Sequence, residues 1–291
     1  MFTVSAEQKD EVVFIGAGNV ATNLSFTMQE AGFSIVQIYS RSINSAQTLA
    51  EKLKCGYTTN LKEITTEADL YIFAISDDAL HNVLDTMRAD TVLQSNTCTN
   101  QSNDDCTTIP ASSGKGIWIH TSGSLPMDVF SGISDSYGIL YPLQTISKQR
   151  KADFSKVPLF IEGNTAGVET AIRDIAVRLS ENVTVLSSDK RRYLHLAAVF
   201  ACNFSNHLFT VASQILEKQD IDWRVLLPLI DETANKLYSM HPGQAQTGPA
   251  IRGDRTIMEL HKSLLDDESL CQLYEMISES IHSQTINKGQ R

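Results

Sequence analysis

Two histidines stand where side chains could move a proton. His195 opens an apolar helical stretch over residues 194–211, and at 100° per residue His195, Cys202 and Asn206 fall near one line, with Asn203 beside it. An imidazole exchanges protons near neutral pH and a carboxamide can orient a polar ligand. The stripe therefore reads as His195 donating or accepting a proton while Asn203 or Asn206 holds a substrate. Internal or subunit-interface hydrogen bonds would use the same residues, because buried polar groups need partners. His120 opens the string His120-Thr121-Ser122-Gly123 behind an apolar run. It is a second proton-transfer candidate, or else a histidine that braces its own turn by bonding neighbouring backbone.

Such groups need a reaction partner, and residues 11–31 describe where one would sit. A short apolar strand (11–15) runs into Gly16-Ala17-Gly18-Asn19-Val20-Ala21, and a helix follows over residues 20–31. Gly16 permits a sharp turn, Gly18 leaves the backbone open to a pyrophosphate, and Ala21 is small enough for the helix to pack closely on the strand. Free amides over Ala17, Asn19 and Val20 would face the phosphates, where the helix dipole favours negative charge. At the end of the second strand an acid would bind a ribose 2′-hydroxyl, but the chain reads Tyr39-Ser40-Arg41-Ser42. Arg41 suits a 2′-phosphate, with hydroxyls from Ser40 and Ser42 alongside. This points to NADP(H) rather than NAD(H); the alternative for Arg41 is a solvated surface charge. Ser76, Thr121 and Ser122 follow later strands at the same sheet edge and are further cofactor candidates, while Asp77 and Asp78 read as helix N-caps.

The elements that must hold these residues alternate. Strand patterns at 11–15, 34–39, 69–75, 116–120, 137–141, 158–162 and 183–186 are interleaved with helical ones, which implies an α/β fold with a doubly wound parallel sheet. Residues 94–115 are polar and aperiodic and read as a surface loop or insertion. From 191 onward only helical patterns appear, over 191–217, 223–240 and 256–286. The expected organisation is a nucleotide-binding Rossmann domain over 1–187 and an all-helical domain over 188–291.

The bulk properties narrow the field. The chain has 291 residues and a formal charge of −10, which argues against a nucleic-acid partner. No apolar run approaches the ~18 residues of a membrane span, so no membrane is expected. The opening residues lack a basic segment followed by an apolar one, giving the cytoplasm as the expected location. Five cysteines without a C-x-x-C pair predict reduced thiols and no metal site. Lys148-Gln149-Arg150-Lys151 reads as a solvated loop. In Gly248-Pro249-Ala250-Ile251-Arg252-Gly253-Asp254, Arg252 is a candidate for a substrate carboxylate or phosphate, or for an ion pair with Asp254.

Five stretches together carry a resemblance: GAGNVA from Gly16, HTSGSL from His120, GILYPLQTIS from Gly138, HLAAVFACNFSNHL from His195 and GPAIRGDRTIMELH from Gly248. The sequence resembles the Rossmann-like NADP oxidoreductases that carry a domain of unknown function 2520 (DUF2520). More distantly it is similar to pyrroline-5-carboxylate reductases and to 6-phosphogluconate and 3-hydroxyacid dehydrogenases. The resemblance implies NADP in the first domain, a substrate cleft between the two domains, and a homodimer formed through apolar helices. The hydroxyacid dehydrogenases carry a catalytic lysine early in the first long helix after the sheet. His195 stands there in this chain, so that role does not transfer. The expectation is a hydride transfer to or from a small carbonyl, hydroxyacid or imine. A non-catalytic NADP(H) sensor is the alternative, and an S-adenosylmethionine-dependent methyltransferase ranks last because Arg41 stands where it would want an acid.

Overall fold

A computed structural model of the chain describes residues 10–97 and 116–289. Most of the loop expected over 94–115 lies outside the described residues, as do Cys98 and Cys106.

The strand Glu11–Ile15 (β1) alternates by face, as its pleat requires. Val12 and Phe14 pack into one apolar cluster with Leu24 and Met28 of the helix Asn19–Glu30 (α1), which Leu49 and Leu53 of the helix Ile43–Leu53 (α2) also join. Val13 and Ile15 point the other way, to Leu80 and Leu84 of the helix Asp77–Thr97 (α3). Both faces of the sheet are thus covered by helices, the condition under which parallel strands are stable.

The sheet has eight strands: β1, Ser34–Tyr39 (β2), Gly56–Thr58 (β3), Leu70–Phe73 (β4), Ile117–His120 (β5), Tyr137–Pro142 (β6), Leu159–Gly163 (β7) and Val183–Val185 (β8). Their order is β3-β2-β1-β4-β5-β6-β7-β8. All neighbours are parallel except β6 and β7. The parallel reading thus fails at one pair. A parallel return needs a crossover, usually helical, whereas the chain between β6 and β7 has only one short 3₁₀ turn, Phe154–Lys156, and doubles back. The helix Ala166–Val177 (α4) then carries β7 to β8 in the parallel sense.

After β8 come the helix Ser188–Ala198 (α5), a π-helical turn Val199–Phe204, and the helix Ser205–Glu217 (α6). The chain divides into two compact units between His207 and Leu208. In the second unit, Leu227–Asn235 (α7), Pro242–Ala245 (α8), Pro249–Arg252 (α9), Arg255–Ser263 (α10) and Glu268–Gly289 (α11) follow, all helical. Gly253 closes α9 in the left-handed conformation, and His282 Nδ1 of α11 lies 3.2 Å from the Ala250 carbonyl oxygen.

The expectation that no apolar run approaches a membrane span fails in one place. Ser188–Glu217 is long and apolar enough, by length and composition, to cross a membrane, and none of its most apolar window is buried in the chain.

Candidate functional site

The carboxyl ends of β1, β2, β4 and β5 and the end of β6 open on a cavity of about 630 Å³. Gly16 builds its floor. Its φ is +124°, its amide donates to the Tyr39 carbonyl oxygen at 2.8 Å, and a Cβ there would lie 2.4 Å from the carbonyl oxygen of Ala74. Only glycine allows the turn to lie against the strand beside it. Gly18 is the opposite case: nothing lies within 4 Å of where its Cβ would be. It is also the N-cap of α1, makes no side-chain cap bond, and the first turn of α1 holds no acid. Ala17, Asn19 and Val20 line the same cavity. Ala21, on the buried face of α1, is fully shielded and works in packing rather than at the wall.

Ser40, Arg41, Ser76, Thr121 and Ser122 also line this cavity. Arg41 forms no ion pair among the described residues. A cradle open at Gly18, at a helix start without a side-chain cap, with a guanidinium on its wall that forms no ion pair among the described residues, fits the phosphates of a phosphorylated dinucleotide. Ser42 is placed differently from expectation. Its hydroxyl accepts from the Ser45 amide as the N-cap of α2, and Ser45 takes its place among the lining residues. Asp77 and Asp78 occupy the first turn of α3 rather than its cap, and Asp77 reaches the cavity wall.

The two histidines part company. His120 is fully buried, accepts from the Ser122 amide at Nδ1 (3.2 Å), and so carries its proton on Nε2, which faces the Pro126 carbonyl oxygen at 3.2 Å. Both ring nitrogens are spent on its own loop, the bracing role, and His120 is not among the lining residues. Burial first, and the Arg191 charge second, push its pKa down to about 3.

His195 does reach the cavity, and it meets a residue that no motif announced. Its Nδ1 lies 2.9 Å from the Tyr141 hydroxyl. Burial raises the Tyr141 pKa, with the Arg191 charge opposing, so the phenol holds its proton at neutral pH. Gly123 makes the approach possible, since a Cβ there would stand 2.5 Å from His195 Nδ1. The pair also borders a second cavity of about 950 Å³, which Cys202 and Asn203 help to line.

Asn206 does not line either cavity, and it has interactions of its own. The reason is the π turn at Val199–Phe204: its wider winding breaks the 100° step on which the expected stripe rested. Arg252 is exposed in the second unit and forms no ion pair among the described residues, whereas Asp254 caps α10 by accepting from the Ile257 amide.

A crystal structure of a "putative NADP oxidoreductase" from Bacteroides fragilis is 40% identical, covering 94% of this chain and 98% of that one, with a TM-score of 0.84. The chain belongs to this NADP oxidoreductase family. The family model "NADP oxidoreductase coenzyme F420-dependent" matches residues 11–96, and DUF2520, a domain of unknown function, matches residues 157–281. The 1-pyrroline-5-carboxylate reductase of Streptococcus pyogenes shares the fold at 13% identity, with a TM-score of 0.57 over 94% of this chain and 98% of that one. A shikimate dehydrogenase (NADP(+)) from Lysinibacillus sphaericus is 33% identical over 61 residues. That match spans 21% of this chain and only 22% of the relative.

The state of His120 yields a test. It is neutral in the fold but takes a proton in the unfolded chain below its ordinary value of 6.5. Its contribution to stability is therefore intact above pH 6.5 and is lost as the pH falls from there toward 3. Urea unfolding across that range should show wild type losing stability more steeply than His120→Asn. Equal slopes would mean that His120 is not held neutral.

Proposed function

We propose that this protein is an NADP(H)-dependent reductase or dehydrogenase that moves a hydride to or from a small carbonyl, hydroxyacid or imine. The observation that carries the reading is the Tyr141–His195 pair, set in the wall shared by a cavity suited to a dinucleotide and a second one open for a substrate. A sensor that only binds the cofactor would have no need of a protonated phenol and an imidazole at that junction.

When bound, NADPH supplies the hydride. The Gly16–Asn19 turn and the first amides of α1 hold its pyrophosphate, and Arg41 and Ser40 hold its 2′-phosphate. Reduction of a carbonyl or imine carbon leaves its oxygen or nitrogen in need of a proton. Tyr141 gives that proton from its hydroxyl, and His195 Nδ1 replaces it along their hydrogen bond. In the reverse direction the same path takes the proton away. Asn203, on the wall of the second cavity, orients the substrate.

We also propose that a second copy of the chain covers the unburied apolar run. Leu196, Phe200 and Phe204 are half or more exposed on it, and Phe200 and Phe204 stack edge to face with centroids 5.0 Å apart. Lys190, Arg192, Asn206 and His207 interrupt the same run, which suits a protein partner better than lipid. A cytoplasmic location goes with this reading. Sedimentation should find a particle of twice the chain mass, and a monomer at micromolar concentration would refute the dimer.

Fluorescence titration with NADPH and NADH, followed by loss of NADPH absorbance over 2-oxo acids and cyclic imines, tests the main proposal. NADPH should bind the tighter. Arg41→Ala should weaken NADPH by roughly tenfold or more while leaving NADH nearly unchanged, as expected for a lost charge-assisted contact. Tyr141→Phe should lower turnover by about 10²-fold with NADPH affinity kept. Tighter NADH binding, or full turnover in Tyr141→Phe, would overturn it.

A further inference from the structure

The basic cluster at Lys148 to Lys151 is exposed, as expected of a solvated loop, but both ends of its turn are tied down by one buried side chain. Asn23 of α1 is 6% exposed. Its Nδ2 donates to the Ser147 carbonyl oxygen at 3.0 Å and its Oδ1 accepts from the Ala152 amide at 3.1 Å, so both ends of the turn are tied to the helix of the phosphate-binding turn. Ser147 and Arg150 pair across the turn as a short antiparallel bridge. Lys151 is neutralised by Glu30, 2.6 Å away. Lys148 and Arg150 form no ion pair among the described residues, and they part: Lys148 lines the first cavity and Arg150 the second.

No acidic side chain lines the second cavity, and Arg150 is its one lysine or arginine among the described residues. Its remaining wall mixes apolar side chains, among them Ala197, Ala198 and Ala201 of the helical run, with uncharged polar ones such as Gln144 and Thr145, and the Tyr141–His195 pair stands at the junction. An arginine facing a cavity with no counter-charge attracts an anion, and its planar fork matches a carboxylate in two parallel hydrogen bonds. A single cation suits a monoanion better than a doubly charged phosphate.

We propose that Arg150 binds a carboxylate on the substrate, so that this protein acts on small carboxylic acids whose reducible carbon lies at the Tyr141–His195 pair. Asn23 is the positioning residue that keeps the Arg150 turn in place. The inference rests on the second cavity being the substrate side of a reductase, as proposed above.

The test uses the full-length protein saturated with NADP⁺ and follows binding by ligand-observed NMR, so that no turnover is required. The probes are cyclic and acyclic carboxylic acids of three to seven carbons, each paired with its primary amide. Acids should bind in preference to their amides, and Arg150→Gln should weaken them by roughly tenfold or more. Arg150→Lys should recover part of the loss, because charge is kept while the fork is not. NADP⁺ affinity should stay the same in both variants. Acids bound no better than amides, or an acid preference unchanged in Arg150→Gln, would overturn the proposal, as would a parallel loss of NADP⁺ affinity. Failure of the wild type to bind NADP⁺ would instead sink the reductase reading on which it rests.

Discussion

The cleft depends on one buried charge. Arg191, on the first turn of α5, is fully shielded from water and has Glu162 of β7 as its ion partner at 3.2 Å. The same guanidinium donates to the Leu125 carbonyl oxygen and to the Ser188 hydroxyl, and Ser188 in turn donates to Glu162 and accepts from the Met127 amide. One side chain thus ties the helix after the sheet to an outer strand and to the loop that leaves β5. A buried ion pair is weak as a source of stability, but removing one partner strands the other, at a cost of about 3–5 kcal/mol. The arrangement fixes position, and position is what the site needs. Arg191 Nε remains without a hydrogen-bond partner among the described residues.

The consequences run outward from that anchor. Because α5 is pinned at Arg191, the residue one turn later, His195, is pressed against the β5 loop where only a glycine, Gly123, leaves it room. There it meets Tyr141 at the end of β6. The same positive charge opposes protonation of His120 and tempers the rise that burial imposes on the Tyr141 pKa. Sheet edge, loop and helix therefore share one electrostatic centre, and α5 stays in one compact unit with the sheet, which ends only at His207.

Much of this was legible in the residues. Gly16, Gly18 and Ala21 each carry a local requirement, and the geometry answers each in turn: a left-handed φ, an open cradle and a close helix contact. Arg41 stands out in the sequence because an acid is missing where one would discriminate, and the structure puts it on the wall of the first cavity. What escaped the sequence was long-range. Tyr141 lies in a strand pattern that reads as core, and its hydroxyl matters only because α5 brings a histidine to it from 54 residues away. Arg191 sits among charged neighbours and looks like surface. The turn carrying Arg150 is as exposed as its composition implies, but its clamp, Asn23, is more than a hundred residues distant in sequence and no local pattern announces it. The expected polar stripe lost Asn206 because the π turn changes the helical step, which no count at 100° per residue reveals.

The central claim is that the Gly16 turn and the Tyr141–His195 pair are two ends of one cofactor site. The most direct measurement is a crystal structure of the protein grown with NADP⁺. The account predicts the pyrophosphate on the amides at Gly18 to Val20, the 2′-phosphate on Arg41 and Ser40, and the nicotinamide ring beside Tyr141 and His195. A cofactor lying with its nicotinamide away from that pair, or no NADP⁺ in the cleft at saturating concentration, would contradict it.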